Sequence, residues 1–120
     1  MFLDENREAV NIVMKNCKNC GVFDRSRVNI GEAARYLSAC HEQFDIVLLD
    51  PPYAAGLLEP AIAHLTAFDI LNPHGIIVAE HPAERSLQPP AAPYRVRRAY
   101  RYGKIAVTVI CRDPDQENEE

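Results

Sequence analysis

The feature that most constrains the fold is a nearly unbroken apolar run, Phe44-Asp45-Ile46-Val47-Leu48-Leu49, that stops at Asp50-Pro51-Pro52-Tyr53. A short apolar segment of this kind, ended by prolines that cannot continue a ladder, reads as a strand buried on both faces. Such strands belong to parallel sheets covered by helices, so the run sets the expectation for the rest of the chain. A second run, Ile76-Ile77-Val78-Ala79-Glu80, has the same character.

The segments around these runs alternate accordingly. Phe2-Leu3 reads as the end of a strand. Glu5 to Cys20 places Ala9, Val10, Ile12, Val13 and Cys17 near a helical period and is stopped by Gly21. Arg27 to Ile30 reads as a short strand, Glu32 to Cys40 as a helix, and Leu57 to Phe68 as an amphipathic helix. Leu71-Asn72-Pro73-His74-Gly75 reads as a turn and Pro82 to Pro93 as a proline-rich loop. Tyr94 to Tyr100 and Lys104 to Cys111, either side of Gly103, read as a closing antiparallel pair. Strand-helix units that end in a hairpin predict an α/β fold: an open twisted sheet, mostly parallel, with helices on both faces.

At 120 residues the chain has room for one small domain, read here as residues 1–112, with acidic residues 113–120 as a disordered tail. No apolar run is long enough to span a membrane and Met1-Phe2-Leu3-Asp4 does not open a secretory signal, which together predict a cytoplasmic protein. The net charge of −4 conceals an asymmetry: Arg95, Arg97, Arg98, Arg101 and Lys104 fall within ten residues, ahead of the acidic tail. That cluster is a candidate phosphate-facing, RNA-binding patch, or else a charged edge strand that deters pairing with other sheets. Cys17 and Cys20 form a C-x-x-C without a second pair, and the four histidines lack ligand spacing, so no metal is expected and the cysteines read as reduced thiols.

In an open α/β sheet, ligands lie beyond the carboxyl ends of the strands, and three acids occupy such positions: Asp4, Glu32 and Asp50. For Asp4 and Glu32 the alternative is an acid favoured at a helix N-terminus, and for Asp50 a cap on the helix that follows. The Asp50 to Tyr53 element carries a specific chemistry. An exocyclic amine on a nucleobase is a poor nucleophile because its lone pair is delocalised into the ring. The Asp50 carboxylate can accept one N–H and the Pro51 carbonyl, aimed by the restricted Pro51-Pro52 step, the other, while Tyr53 offers a stacking face. Acceptors fixed in this way stabilise the charge that develops on nitrogen as it attacks a methyl group.

Three stretches carry a family resemblance: Phe2-Leu3-Asp4-Glu5-Asn6-Arg7-Glu8-Ala9, Phe44 to Tyr53, and Arg101-Tyr102-Gly103-Lys104-Ile105-Ala106-Val107-Thr108. With them the chain resembles the RsmD family of 16S ribosomal RNA guanine-N2 methyltransferases, which have a Rossmann-like class I methyltransferase sheet. The resemblance implies S-adenosylmethionine as cofactor, with Asp4 on its ribose and Glu32 and the Ala33 backbone on its adenine. It implies Asp50, Pro51, Pro52 and Tyr53 on the target guanine amine, in ribosomal RNA or a small-subunit assembly intermediate. Glu32 stands where an aspartate is more usual.

The five glycines, Gly21, Gly31, Gly56, Gly75 and Gly103, form no G-x-G cluster, so the first strand and glycine-rich cofactor turn of the family pattern are not found. The chain reads as a C-terminal portion, and a homodimer that completes the truncated sheet is expected. A DNA adenine-N6 or protein-glutamine methyltransferase suits the same acceptor geometry, and a noncatalytic fragment binding RNA or a partner suits the missing turn.

Overall fold

The computed structural model describes residues 1–50, 56 and 58–112. Its contacts cluster into two compact units, Met1–Ala39 and Cys40–Glu120.

In the first unit, β1 (Phe2–Asp4) and β2 (Val28–Ile30) form a parallel pair joined through α1 (Arg7–Asn19), and α2 (Ala33–Ser38) follows. The helix opens later than the apolar spacing indicates, because Asn6 caps it: its Oδ1 accepts the amides of Glu8 and Ala9 at 2.8 and 3.2 Å. At the other end Gly21 adopts φ 72°, the left-handed conformation that closes many helices. Val10 and Cys17 are the buried positions of α1, while Ile12 is exposed.

In the second unit, β3 (Phe44–Leu49), β4 (Leu71–Pro82), β5 (Tyr94–Tyr102) and β6 (Ile105–Arg112) form one sheet in the order β3-β4-β6-β5. β3 and β4 are parallel, connected through α3 (Leu58–Ala67), and β4-β6-β5 are antiparallel. Tyr102 pairs with Ile105 across a two-residue turn in which Gly103 takes φ 65°, as a hairpin with glycine first requires. Loop 83–93 has no regular element, as the prolines predict.

The segment Leu71 to Gly75 belongs to β4 rather than to a separate turn. The turn character survives as an irregularity: Phe44 pairs with Leu71, but Ile46 pairs with Ile76, so the residues between bulge out of the ladder. Gly75 makes this possible, since a Cβ there would lie 2.8 Å from the Asp45 carbonyl oxygen and from two Leu71 side-chain atoms. The Asn72 side-chain amide also donates to Asp45 Oδ1 at 2.7 Å.

The core lies on one face of this sheet. Ile77, Ala79, His81, Thr108 and Ile110 are buried there, and α3, which packs on β4, supplies Ala61, Ile62 and Leu65. Full burial of Ile77 or Ile110 stabilises the fold by about 1.5–3 kcal/mol relative to exposure. The opposite face contradicts the expectation of a strand buried on both sides: Ile46 is 63% and Leu48 74% exposed. β3 has β4 as its one ladder partner among the described residues and so lies at a sheet edge. Apolar composition alone cannot tell an edge from a centre.

Candidate functional site

The parallel register of β1 and β2 pairs Asp4 with Ile30, bringing Asp4 and the Glu32-Ala33 step to the same carboxyl end of that sheet. Each acid sits on a short, well-defined corner. Asp4 Oδ1 accepts the Asn6 amide at 2.8 Å and the Asp4 carbonyl accepts the Gly31 amide at 2.9 Å, which ties the two strand ends together. Glu32 occupies the N-cap position of α2, yet its side chain makes no capping hydrogen bond. An acid at this position suits the helix dipole as well as a ligand, so both readings of Glu32 share this geometry. Both carboxylates are exposed, and Ala33 opens the helix beside them.

In the second unit Asp50 follows the last residue of β3 directly and is exposed. Leu49 is level with Ala79, so Asp50 stands beyond the carboxyl end of the parallel ladder, where the open-sheet rule places ligand-facing groups. α3 opens at Leu58, eight residues further along the chain. Pro51, Pro52 and Tyr53, the other three members of the element, lie outside the described residues, as does the acidic segment 113–120.

The five cations are carried by the sheet's other edge. Arg95, Arg97, Arg98 and Arg101 are on β5, exposed along its length, and Lys104 is in the turn after it. The ladder is irregular between Val96 and Arg98, which places Arg97 in a bulge. Arg101 Nε donates to the Gly103 carbonyl at 3.0 Å and so braces the turn. Both alternatives for this cluster share one geometry: a charged edge is also an accessible one.

Three features escaped the sequence reading. His81 is buried with both ring nitrogens engaged: Nδ1 is 3.0 Å from the Pro82 carbonyl, which can only accept, and Nε2 is 2.7 Å from Thr108 Oγ1. In the neutral ring Nδ1 therefore carries the proton and the threonine hydroxyl donates to Nε2, a pairing that joins β4 to β6. Asp69, at φ 54°, accepts the Tyr94 hydroxyl at 3.0 Å and Arg112 Nη1 at 2.9 Å, fastening the end of the α3 segment to β5 and β6. A cavity of 540 Å³ lies between α3 and the proline-rich loop, lined by Glu59, Ile62, Thr66, Leu87, Pro89 and Tyr94 among others. An aspartate just after a helix, which tolerates the left-handed conformation, was the one available signal for the second. The other two depend on contacts between distant segments.

All four cysteines are free: Cys17 and Cys111 are buried, Cys20 exposed and Cys40 half-buried. Among the described residues no three histidines, cysteines or acids converge as a metal site, and no helix is long and apolar enough to cross a membrane.

The chain as a whole matches a known family. The family model described as "Conserved hypothetical protein 95" matches residues 1–111. The chain belongs to this family, the RsmD-like methyltransferases. It is 28% identical over 112 residues to the Bacillus subtilis protein named "Putative rRNA methyltransferase YlbH", spanning 91% of this chain and 61% of that relative. Among solved structures, a conserved hypothetical protein of Streptococcus pyogenes superposes with a TM-score of 0.85 at 28% identity, over 93% of this chain and 70% of the other. An Escherichia coli structure named "Putative methyltransferase yhhF" gives 0.83 at 25%, over 92% and 62%. The α/β fold expected from the alternating pattern, and the methyltransferase sheet that the resemblance implied, agree with the fold of these relatives. The chain spans about three-fifths of the curated relative it matches.

Proposed function

We propose that this chain carries the acceptor half of an S-adenosylmethionine-dependent methyltransferase acting on the exocyclic N2 amine of a guanine in 16S ribosomal RNA, in the cytoplasm. The observation that supports it best is Asp50, an exposed carboxylate beyond the end of a parallel strand in a member of a methyltransferase family. The Asp50 carboxylate accepts one N–H of the target amine and the Pro51 carbonyl the other, with Pro52 stiffening the turn and Tyr53 stacking on the base. Withdrawing both N–H bonds from conjugation leaves the nitrogen lone pair free to attack. The base must be unpaired or flipped out for the amine to reach these groups.

The residues present fit the adenosine part of the cofactor. Asp4 has one oxygen fixed by the Asn6 amide and a second suited to a ribose hydroxyl, while the uncapped Glu32 carboxylate and the Ala33 backbone suit an adenine edge. When bound, the cofactor supplies an electrophilic methyl group. The described glycines provide no G-x-G cradle for its methionine part. Arg95, Arg97, Arg98, Arg101 and Lys104 give the RNA backbone a cationic edge, and residues 1–112 act together as a partial methyltransferase domain. The open β3 edge, with Ile46 and Leu48 exposed, supports the further reading that a second copy completes the sheet in a homodimer. A monomer at high micromolar concentration in sedimentation equilibrium would remove that reading.

Titration of the chain with S-adenosylmethionine in a calorimeter, then incubation with ribosomal RNA, DNA and peptide acceptors, tests the proposal. Methyl incorporation into a guanine of 16S RNA is expected. Labelling confined to DNA or peptide would instead indicate an adenine-N6 or glutamine methyltransferase. The exposed cationic strand β5 favours one second reading, a noncatalytic segment that binds RNA or a partner subunit. Absence of cofactor binding at millimolar ligand would decide for it.

A further inference from the structure

The tyrosines of β5 form a feature separate from the amine-binding corner. Beyond the bulge at Arg97, alternation puts Arg98, Tyr100 and Tyr102 on one face of an edge strand. Tyr100 and Tyr102 are 40% and 66% exposed, so these rings are not core. They stand nearly parallel, 19° apart, with centroids separated by 6.4 Å. The Arg98 guanidinium lies 6.0 Å from the Tyr100 centroid, and the order of residues along the strand puts it on the side away from Tyr102. The result is a short ladder of planar groups, open to solvent and held at the spacing of alternate strand residues.

That surface has a chemical match. Every nucleobase has a flat face that can stack on exposed aromatic rings. The two rings stack on each other with an offset, as aromatic pairs at this centroid separation do, and together offer exposed aromatic surface to a flat heterocycle. The guanidinium adds a cation near the outer ring, and Arg97, Arg101 and Lys104 are exposed along the same strand and its turn. An acidic peptide would answer the charge but leave the exposed stacked rings without purpose.

We infer that Tyr100 and Tyr102 are a base-stacking platform for single-stranded RNA, with Arg98 and the neighbouring cations following its phosphates. The inference rests on the RNA reading of the function above, though not on methyl transfer. Aromatic residues beside basic ones on an exposed sheet are the usual means of holding unpaired nucleotides without reading a fixed sequence. The platform would anchor nucleotides outside the reacting one, which makes binding distinct from catalysis.

The test uses the 120-residue chain without cofactor and a fluorescein-labelled single-stranded RNA of twelve mixed nucleotides, followed by anisotropy at low salt. The chain has no tryptophan, so its intrinsic emission comes from tyrosine and reports stacking by quenching. Tyr100→Ala and Tyr102→Ala are each expected to weaken binding by about 5- to 100-fold, whereas the Tyr100→Phe/Tyr102→Phe pair stays within about twofold. Tyr102→Thr, which keeps a strand former but loses the ring, should behave as the alanine variant and guards against loss of fold, which circular dichroism checks. Arg98→Ala should lower the slope of log affinity against log salt by about 0.7. Wild-type chain that fails to bind the RNA, alanine and threonine variants that bind as tightly as wild type, or equal capture of duplex RNA or polyglutamate would each overturn the platform. RNA bound through the tyrosines by a chain that does not bind S-adenosylmethionine would leave it standing and count against methyl transfer alone.

Discussion

The two edges of the four-stranded sheet are built on opposite principles. β5 presents arginines and tyrosines to solvent, while β3 presents Ile46 and Leu48 and ends at Asp50. An edge carrying charge and a bulge is protected against accidental strand pairing; a bare aliphatic edge is not. The difference separates a surface adapted to a polar, charged ligand from one whose chemistry suits another strand, and the proposed catalytic aspartate stands at the end of the latter.

The comparison can be broken most severely at Asp50. Asp50→Ala should reduce methyl transfer by about 10²-fold or more, the scale seen when a preorganised transition-state partner is removed, with cofactor affinity nearly unchanged. Retained activity, measured by tritiated methyl incorporation, would defeat the assigned role. The next effect concerns the joint that holds β3 to β4. Gly75→Ala forces a Cβ against the Asp45 carbonyl and should destabilise the fold by about 1–3 kcal/mol, read as a lowered denaturation midpoint. An unchanged midpoint would mean that the ladder there opens freely.

A smaller effect tests how the β5 edge is fastened. Tyr94→Phe removes the hydroxyl that donates to Asp69 and should cost about 1 kcal/mol in urea denaturation. The smallest sharpens the comparison itself. Leu48→Lys, at a position 74% exposed, should change the stability of the isolated chain by less than about 0.5 kcal/mol while reducing self-association in sedimentation equilibrium. A large loss of stability from this charge would show that the β3 face is covered after all.

Much of the element order was legible in the residues. The run Phe44 to Leu49 is β3 with the expected bounds, because nearly unbroken apolar character and a Pro-Pro stop leave little choice. The β5-β6 hairpin was legible from alternation around Gly103, whose φ of 65° suits glycine. Helix ends were less so: α1 starts at Arg7 because Asn6 competes for the cap, a local contest that apolar spacing does not register. Leu71 to Gly75 misled for a different reason. Its turn residues are present, but the chain absorbs them as a bulge within β4 once β3 is available as a ladder partner. Of the candidate site, the positions of Asp4, Glu32 and Asp50 at strand ends could be read directly, whereas the Asn6 amide on Asp4 and the missing cap on Glu32 could not.

Residue order by itself determined which segments are strands, which acids stand at their ends and which family the chain resembles, since these depend on local period and on neighbours along the backbone. Only the tertiary structure decided that β3 is an edge with its aliphatics exposed, that His81 pairs with Thr108, and that two exposed tyrosines stack beside an arginine. Those outcomes turn on which strand lies beside which. A hydrophobic pattern encodes that a side chain avoids water, but not what covers it.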